Sequence, residues 1–298
     1  MAARPPYPGR GFGQARESDS MFKSIPHEVW AFDLEWVPDP ASGRRAYRLG
    51  AEVTDLDVIG EMWKRGGADA DNPRPFLKTV LCRIVSVAAV VRKQVDTQGV
   101  SLMLHSLPPP GSEGATEGDL IARFMGALGK AKPQLVGFNS QSADLPILLQ
   151  RALVHRLALP DFCRRPEKPW EGVDYFARGG DFHVDLKEVF CGWGRATPSL
   201  HELATACRIP GKIDLAGRDV IDLWLEGDVR RIVQYNEFDA LSTYLIWLRA
   251  ALLAGHVTPD QHDHEESQLE AMLAARAAEP GHHHLGEFLA AWRALRTE

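Results

Sequence analysis

Val29-Trp30-Ala31-Phe32-Asp33-Leu34-Glu35-Trp36, closed by Val37-Pro38-Asp39-Pro40, sets two carboxylates inside a run of strand-forming residues. Side chains alternate across a strand, so Trp30, Phe32, Leu34 and Trp36 share one face while Val29, Ala31, Asp33 and Glu35 share the other. Two ionised carboxylates one strand repeat apart repel each other, and burying either without a partner is costly. A shared divalent cation resolves both problems, and magnesium or manganese suits an all-oxygen donor set. The competing reading of a lone Asp-x-Glu is an edge strand with one wet face. Residues far downstream decide between the two.

With 298 residues, 45% hydrophobic and 25% charged, the chain has the make-up of a globular protein with room for one substantial core. A net charge of -6 offers no global attraction to polyanions, so any nucleic-acid binding must come from a local basic surface. Cys82, Cys163, Cys191 and Cys207 show no Cys-x-x-Cys spacing, which fits reduced thiols and argues against a zinc site. No apolar run approaches the ~18 residues that cross a membrane, and the first residues lack the apolar core of a secretory signal. The expectation is a cytoplasmic protein.

Residues 1–26, rich in Pro and Gly and without periodicity, are expected to be disordered. Residues 41–75 read as an irregular, Gly-containing loop or insertion. Strands are predicted over 79–91, buried on both faces, then 100–107 and 134–138, with a helix over 116–130 between the last two. A helix then follows, with Ser142 as its predicted cap, Asp144 and Pro146 in its first turn, and an apolar stripe from Leu145 to Leu153. A short strand at 182–186 ends in Asp185, most simply a helix cap, with His183 a core or surface residue. Ser199-x-x-Glu202 is a capping box, and Ile209-Pro210-Gly211-Lys212 reads as the turn that ends its helix. A short helix spans 219–226, and a long one starting at Asp228 carries Tyr235 and Asp239 on one face at i and i+4. Residues 256–298 are expected to add two helices packed on the main domain, with His282, His283 and His284 in a solvated loop between them.

The acids therefore run in the order Asp33-x-Glu35, Asp144 at a strand-to-helix junction, and Tyr235-x-x-x-Asp239 on a late helix. This ordered set resembles the three exonuclease motifs of the DEDD superfamily, in the variant with Tyr in the third motif. The His variant carries its residue five positions before the last Asp, and here that position is Gln234. Gly137-Phe138-Asn139 leading to Asp144-Leu145-Pro146-Ile147-Leu148, then His183-Val184-Asp185-Leu186, Ile209-Pro210-Gly211-Lys212 and Tyr244-Leu245-Ile246-Trp247-Leu248-Arg249, extend the likeness. They resemble the predicted 3′–5′ exonucleases related to the exonuclease domain of family B DNA polymerases. The likeness covers residues 27–255, and His284-Leu285-Gly286-Glu287-Phe288-Leu289 also looks like the family's C-terminal helix. Asn236-Glu237-Phe238 departs from a commoner Cys-Glu-Thr, a change expected to alter packing more than chemistry.

The resemblance implies an α/β, RNase H-like fold with a mixed central sheet flanked by helices, acting on single-stranded DNA or RNA at its 3′ end. It implies two ions, Mg2+ or Mn2+, with Asp33 shared by both, Glu35 and Asp239 completing the nucleophile's side, Asp144 holding the second through water, and Tyr235 orienting the attacking water. Phe138, Asn139, Arg164 and Arg165 are the expected substrate contacts, the two arginines as part of a basic segment with interleaved aromatics (Arg151, Arg156, Lys168, Trp170, Tyr175, Phe176). A silent nucleic-acid-binding relative and a metal-dependent hydrolase of small nucleotides are the rival readings.

Overall fold

The computed structural model describes residues 23–95, 99–110, 112, 114–168, 171–177, 179–191, 197–213 and 220–297. Most of the segment expected to be disordered, and Trp170, lie outside them. In chain order the elements are β1 (Glu28–Pro38), α1 (Pro40–Tyr47), α2 (Asp55–Arg65), β2 (Cys82–Gln94), β3 (Val100–Leu107), α3 (Glu117–Ala131), β4 (Gln134–Gly137), α4 (Asp144–Val154) and α5 (Pro160–Cys163). They continue with β5 (His183–Asp185), α6 (Leu186–Phe190), α7 (Leu200–Ala206), α8 (Val220–Leu225), α9 (Val229–Leu253), α10 (Pro259–Ala277) and α11 (His284–Thr297).

The strands form one mixed sheet in the order β3-β2-β1-β4-β5. The first three are antiparallel neighbours, while β4 runs parallel to β1 and β5 parallel to β4. Thus β1 is the central strand, and both of its faces are covered. Trp30, Phe32 and Leu34 enter a core with α3 and α4, whereas Val29 and Ala31 enter a second core with α9 and the C-terminal helices. The alternation predicted from sequence therefore aims Asp33 and Glu35 at α9, and the wet edge strand is ruled out.

Residues 41–75 are not the expected irregular loop. Asp39 caps α1 by accepting from the Ala41 amide at 3.2 Å, with Pro40 in the first turn, and Thr54 caps α2 by accepting from the Asp57 amide at 3.2 Å. Arg44 joins the two helices by donating to the carbonyl oxygens of Val53 (2.5 Å) and Gly50 (3.1 Å). A Cβ at Gly43 would lie 2.5 Å from the Met62 sulfur and 2.9 Å from Val58, so α1 packs closely on α2 and a larger residue there would displace both side chains.

The long helix α9 lies across β1 and β2. Asn236 donates to Ser86 Oγ at 2.9 Å, and Ser86 is the β2 residue paired with Glu35. Glu237 accepts from Ser106 Oγ at 2.7 Å on β3 and is bonded to His284 Nε2 at 2.5 Å, while Phe238 packs on Phe288. The variant tripeptide 236–238 thus fixes the helix to the sheet and to α11. His282 and His284 are buried, not solvated as the sequence suggested, because Glu237 and Arg276 supply their partners. All four cysteines are free, and no described helix is long and apolar enough to cross a membrane.

Candidate active site

Asp33, Glu35 and Asp239 offer carboxylate oxygens that all lie within 4.8 Å of one another. The first two project from the middle of β1 and the third from α9, one turn after Tyr235, which lies on the same helix face and whose phenol favours the ionised Asp239 carboxylate. The β1–β2 register shifts between Glu35 and Trp36, an irregularity of the kind that re-aims side chains beside functional sites.

Asp144 arrives from the opposite side of β1. The parallel pairing of β1 with β4 ends at Ala31 and Val136, and beyond it the Leu34 amide, between the two β1 acids, favours the ionised Asp144 carboxylate. The connection from β4 to α4 is tight. A side chain at Gly137 would come within 2.4 Å of Ser140, and Asn139 adopts the left-handed region at φ 66°. Asp185, besides capping α6 as predicted, accepts from the amides of Asn139 (2.8 Å) and Gln141 (2.9 Å). Ser142 does not cap α4. The cap position is Ala143, with no side-chain acceptor, because the loop amides are already taken up by Asp185 and the Asn139 carbonyl.

These residues share one cleft of about 740 Å³, lined by Asp33, Glu35, Asp144, Tyr235 and Asp239 together with Phe138 and Asn139. Gln234, by contrast, lines a separate cavity beside Pro109 and His284. Arg164 and Arg165 are not among the cleft residues. Arg165 is held by Asp174 at 2.8 Å and Arg164 lies 3.5 Å from Asp161. Arg151 and Tyr175, from the same basic and aromatic segment, are buried structural residues. Sequence proximity to Asp144 was a poor guide because α4 leads the chain away from its own first turn.

The charge density is resolved by protons or cations. Burial, then the nearby Asp239, Asp144 and Glu35 charges, push Asp33 well above the usual carboxylate range. Burial raises Asp144 to about 7 and Asp239 to about 6. Lys212 opposes this for Asp33 and Asp239, and its ammonium lies 5.8 Å from the centre of the Tyr235 ring. In the sequence, Lys212 is the last residue of the Ile209-Pro210-Gly211-Lys212 turn. Its charge opposite an acidic strand becomes apparent only when the turn is folded against α9. The 41–81 region forms a wall of the cleft to which no sequence period points, contributing Trp63, Arg74, Phe76 and Leu77.

The donor set is oxygen-rich and anionic, which fits a hard divalent cation. A second buried group, Glu237 with His282 and His284, is accounted for by its own hydrogen bonds and by Arg276 beside His282.

Residues 74–292 match the model of the family described as "Predicted 3'-5' exonuclease related to the exonuclease domain of PolB". The chain belongs to this family. The matched range contains Asp144, Tyr235 and Asp239 and the C-terminal helices, while Asp33 and Glu35 precede it and join the site through the sheet. Among solved structures, the family B DNA polymerase from the hyperthermophilic archaeon Pyrobaculum calidifontis is similar at 17% identity with a TM-score of 0.41. The likeness covers 85% of this chain and 29% of the polymerase chain. No curated protein sequence matches.

Proposed function

We propose that this exonuclease-family protein hydrolyses the terminal phosphodiester at the 3′ end of single-stranded DNA or RNA, in a divalent-metal-dependent reaction, releasing nucleoside 5′-monophosphates. The observation that carries this reading is the meeting of four carboxylates and one tyrosine, from β1, α4 and α9, in a single cleft.

Asp33, Glu35, Asp144 and Asp239 would hold two ions, Mg2+ or Mn2+. When bound, such ions supply charge neutralisation and an acidified water at neutral pH. The protein's own part is positioning. Burial and the neighbouring acids raise the Tyr235 phenol well above its ordinary value, so it stays protonated and serves as a hydrogen-bond donor rather than a base. Lys212 offsets part of the negative charge that an approaching phosphate meets. Phe138 and Asn139, fixed by the tight turn before α4, bound the space for the terminal nucleotide.

End polarity and length test the reaction. A strand with a free 3′ hydroxyl should be shortened stepwise, whereas one blocked there should resist. Equal digestion of the two would indicate an endonuclease, and turnover confined to mono- or dinucleotides would indicate a nucleotidase.

Tyr235→Phe separates positioning from ion binding. The ring is kept, and with it the packing, so the melting temperature should change by no more than the loss of one hydrogen bond, about 1 kcal/mol. Single-turnover hydrolysis at saturating metal should fall on the order of 10 to 1000-fold. Normal turnover from a destabilised protein would reassign the hydroxyl to a structural bond with Asp239.

A further inference from the structure

Phe76 is 99% exposed, yet the chain on either side of it is anchored. On one side, Arg74 donates to Asp222 at 2.8 Å and stacks its guanidinium 5.3 Å from the centre of the Trp63 ring. On the other, Leu77 packs into the core with α3 and α4. A phenylalanine held in water forfeits the burial that drives its placement elsewhere in proteins. This one is held at the same cleft as the acids, facing a space also lined by Trp36, Trp63, Phe138 and Tyr235.

We infer that Phe76 is a nucleobase-stacking subsite, which takes a base of the single strand upstream of the nucleotide being removed. The inference rests on the proposed exonuclease reading. A flat, apolar ring presented to solvent beside an acidic site suited to phosphate-binding cations matches the two halves of a single-stranded nucleic acid, whose bases stack on aromatic faces without regard to sequence. The phosphates need no cluster of unpaired arginines at this point, because Lys212 and the acids that would hold the ions line the same cleft. Phe138, fixed at the end of β4 beside Asp144, bounds the terminal nucleotide, so a ring in the separate wall before β2 serves a different base. Sugar identity plays no part in such stacking, so the subsite should serve DNA and RNA alike.

The test uses Phe76→Ala and Phe76→Trp in the full chain. Both should melt with the wild type, since the side chain makes no buried contact to lose. Equilibrium binding is followed by the anisotropy of a 5′-fluorescein, 3′-blocked single strand in Mg2+, where the blocked end resists cleavage. Phe76→Ala should weaken it roughly 5 to 100-fold, the range expected for loss of one base stack. Phe76→Trp should retain it, with its indole fluorescence quenched by the strand. An abasic site scanned upstream of the 3′ end should reproduce the loss at one position in the wild type and add nothing in Phe76→Ala. In hydrolysis of the unblocked strand, the loss should fall on KM more than on kcat. Wild-type binding by Phe76→Ala would overturn the subsite while leaving the exonuclease reading intact. Loss of hydrolysis in the wild type would overturn that reading, and the binding comparison would still decide the subsite.

Discussion

Asp33→Asn and Asp239→Asn are each expected to lower hydrolysis on the order of a thousand-fold or more while stabilising the metal-free protein at pH 8. Each removes an oxygen ligand from the trio that lies within 4.8 Å, and each also removes a charge that the fold holds at a cost. The sign follows from the raised carboxyls. Asp33 is held well above its usual range, Asp144 at about 7 and Asp239 at about 6, all above their unfolded values near 4. Between those limits the folded protein binds more protons than the unfolded chain, so the stability these groups contribute is lost as pH rises from about 4 through about 7. This is the reverse of an ordinary salt-bridged carboxylate. Asparagine keeps the shape without the charge, so both variants should match the wild type near pH 4 and exceed it at pH 8 in EDTA, Asp239→Asn by about 1 to 2 kcal/mol. Mg2+ should raise the melting temperature of the wild type at pH 8, with a much smaller effect on the variants. Melting curves at both pH values, with and without metal, check this. A wild type that gains stability over the variants as pH rises in EDTA would show that the acids are not crowded.

Arg151→Met should cost about 3 to 5 kcal/mol, because it strands two buried carboxylates. Arg151 grips Glu117 with two bonds of 2.8 and 2.6 Å and reaches Asp39 at 3.0 Å, with all three side chains buried. Glu117 also accepts from the Ile84 amide at 2.7 Å and is bonded to His155 at 2.6 Å. Despite its burial, Asp39 stays below its usual range, through Ser42 and Arg151. The network links α4, which carries Asp144, to the end of β1, the start of β2 and the first turn of α3, so it braces the site from behind. Methionine preserves length and packing but supplies no charge. The melting temperature should fall by roughly 6 to 20 °C, and adding Glu117→Gln should recover part of it. A variant that melts within a degree of the wild type would show that the carboxylates find other partners.

The parts of the site that were legible in the sequence are those fixed by a local period. Alternation along residues 29–36 put Asp33 and Glu35 on one face of a strand, and the four-residue spacing of Tyr235 and Asp239 put both on one face of a helix. Alternation could not say that this face was buried against α9, and for that the order of the motifs was needed. What stayed hidden depends on contacts distant in sequence. The helices at 40–65 rest on caps at Asp39 and Thr54 and on Arg44 crossing between them, signals that are weak beside the glycines and polar residues of the segment. Arg151 looked like a surface cation because its partners, Glu117 and Asp39, are 34 and 112 positions away. Lys212 and Phe76 sit in irregular segments whose direction no periodicity encodes.

Metal-dependent 3′–5′ hydrolysis is checked on a 5′-labelled single strand incubated with the wild type in EDTA, and then with Mg2+ added back. No cleavage is expected in EDTA and, on addition of Mg2+, a ladder should shorten from the 3′ end with nucleoside 5′-monophosphates as the released product. The same ladder in EDTA, or products that carry 3′-phosphates, would contradict that reaction.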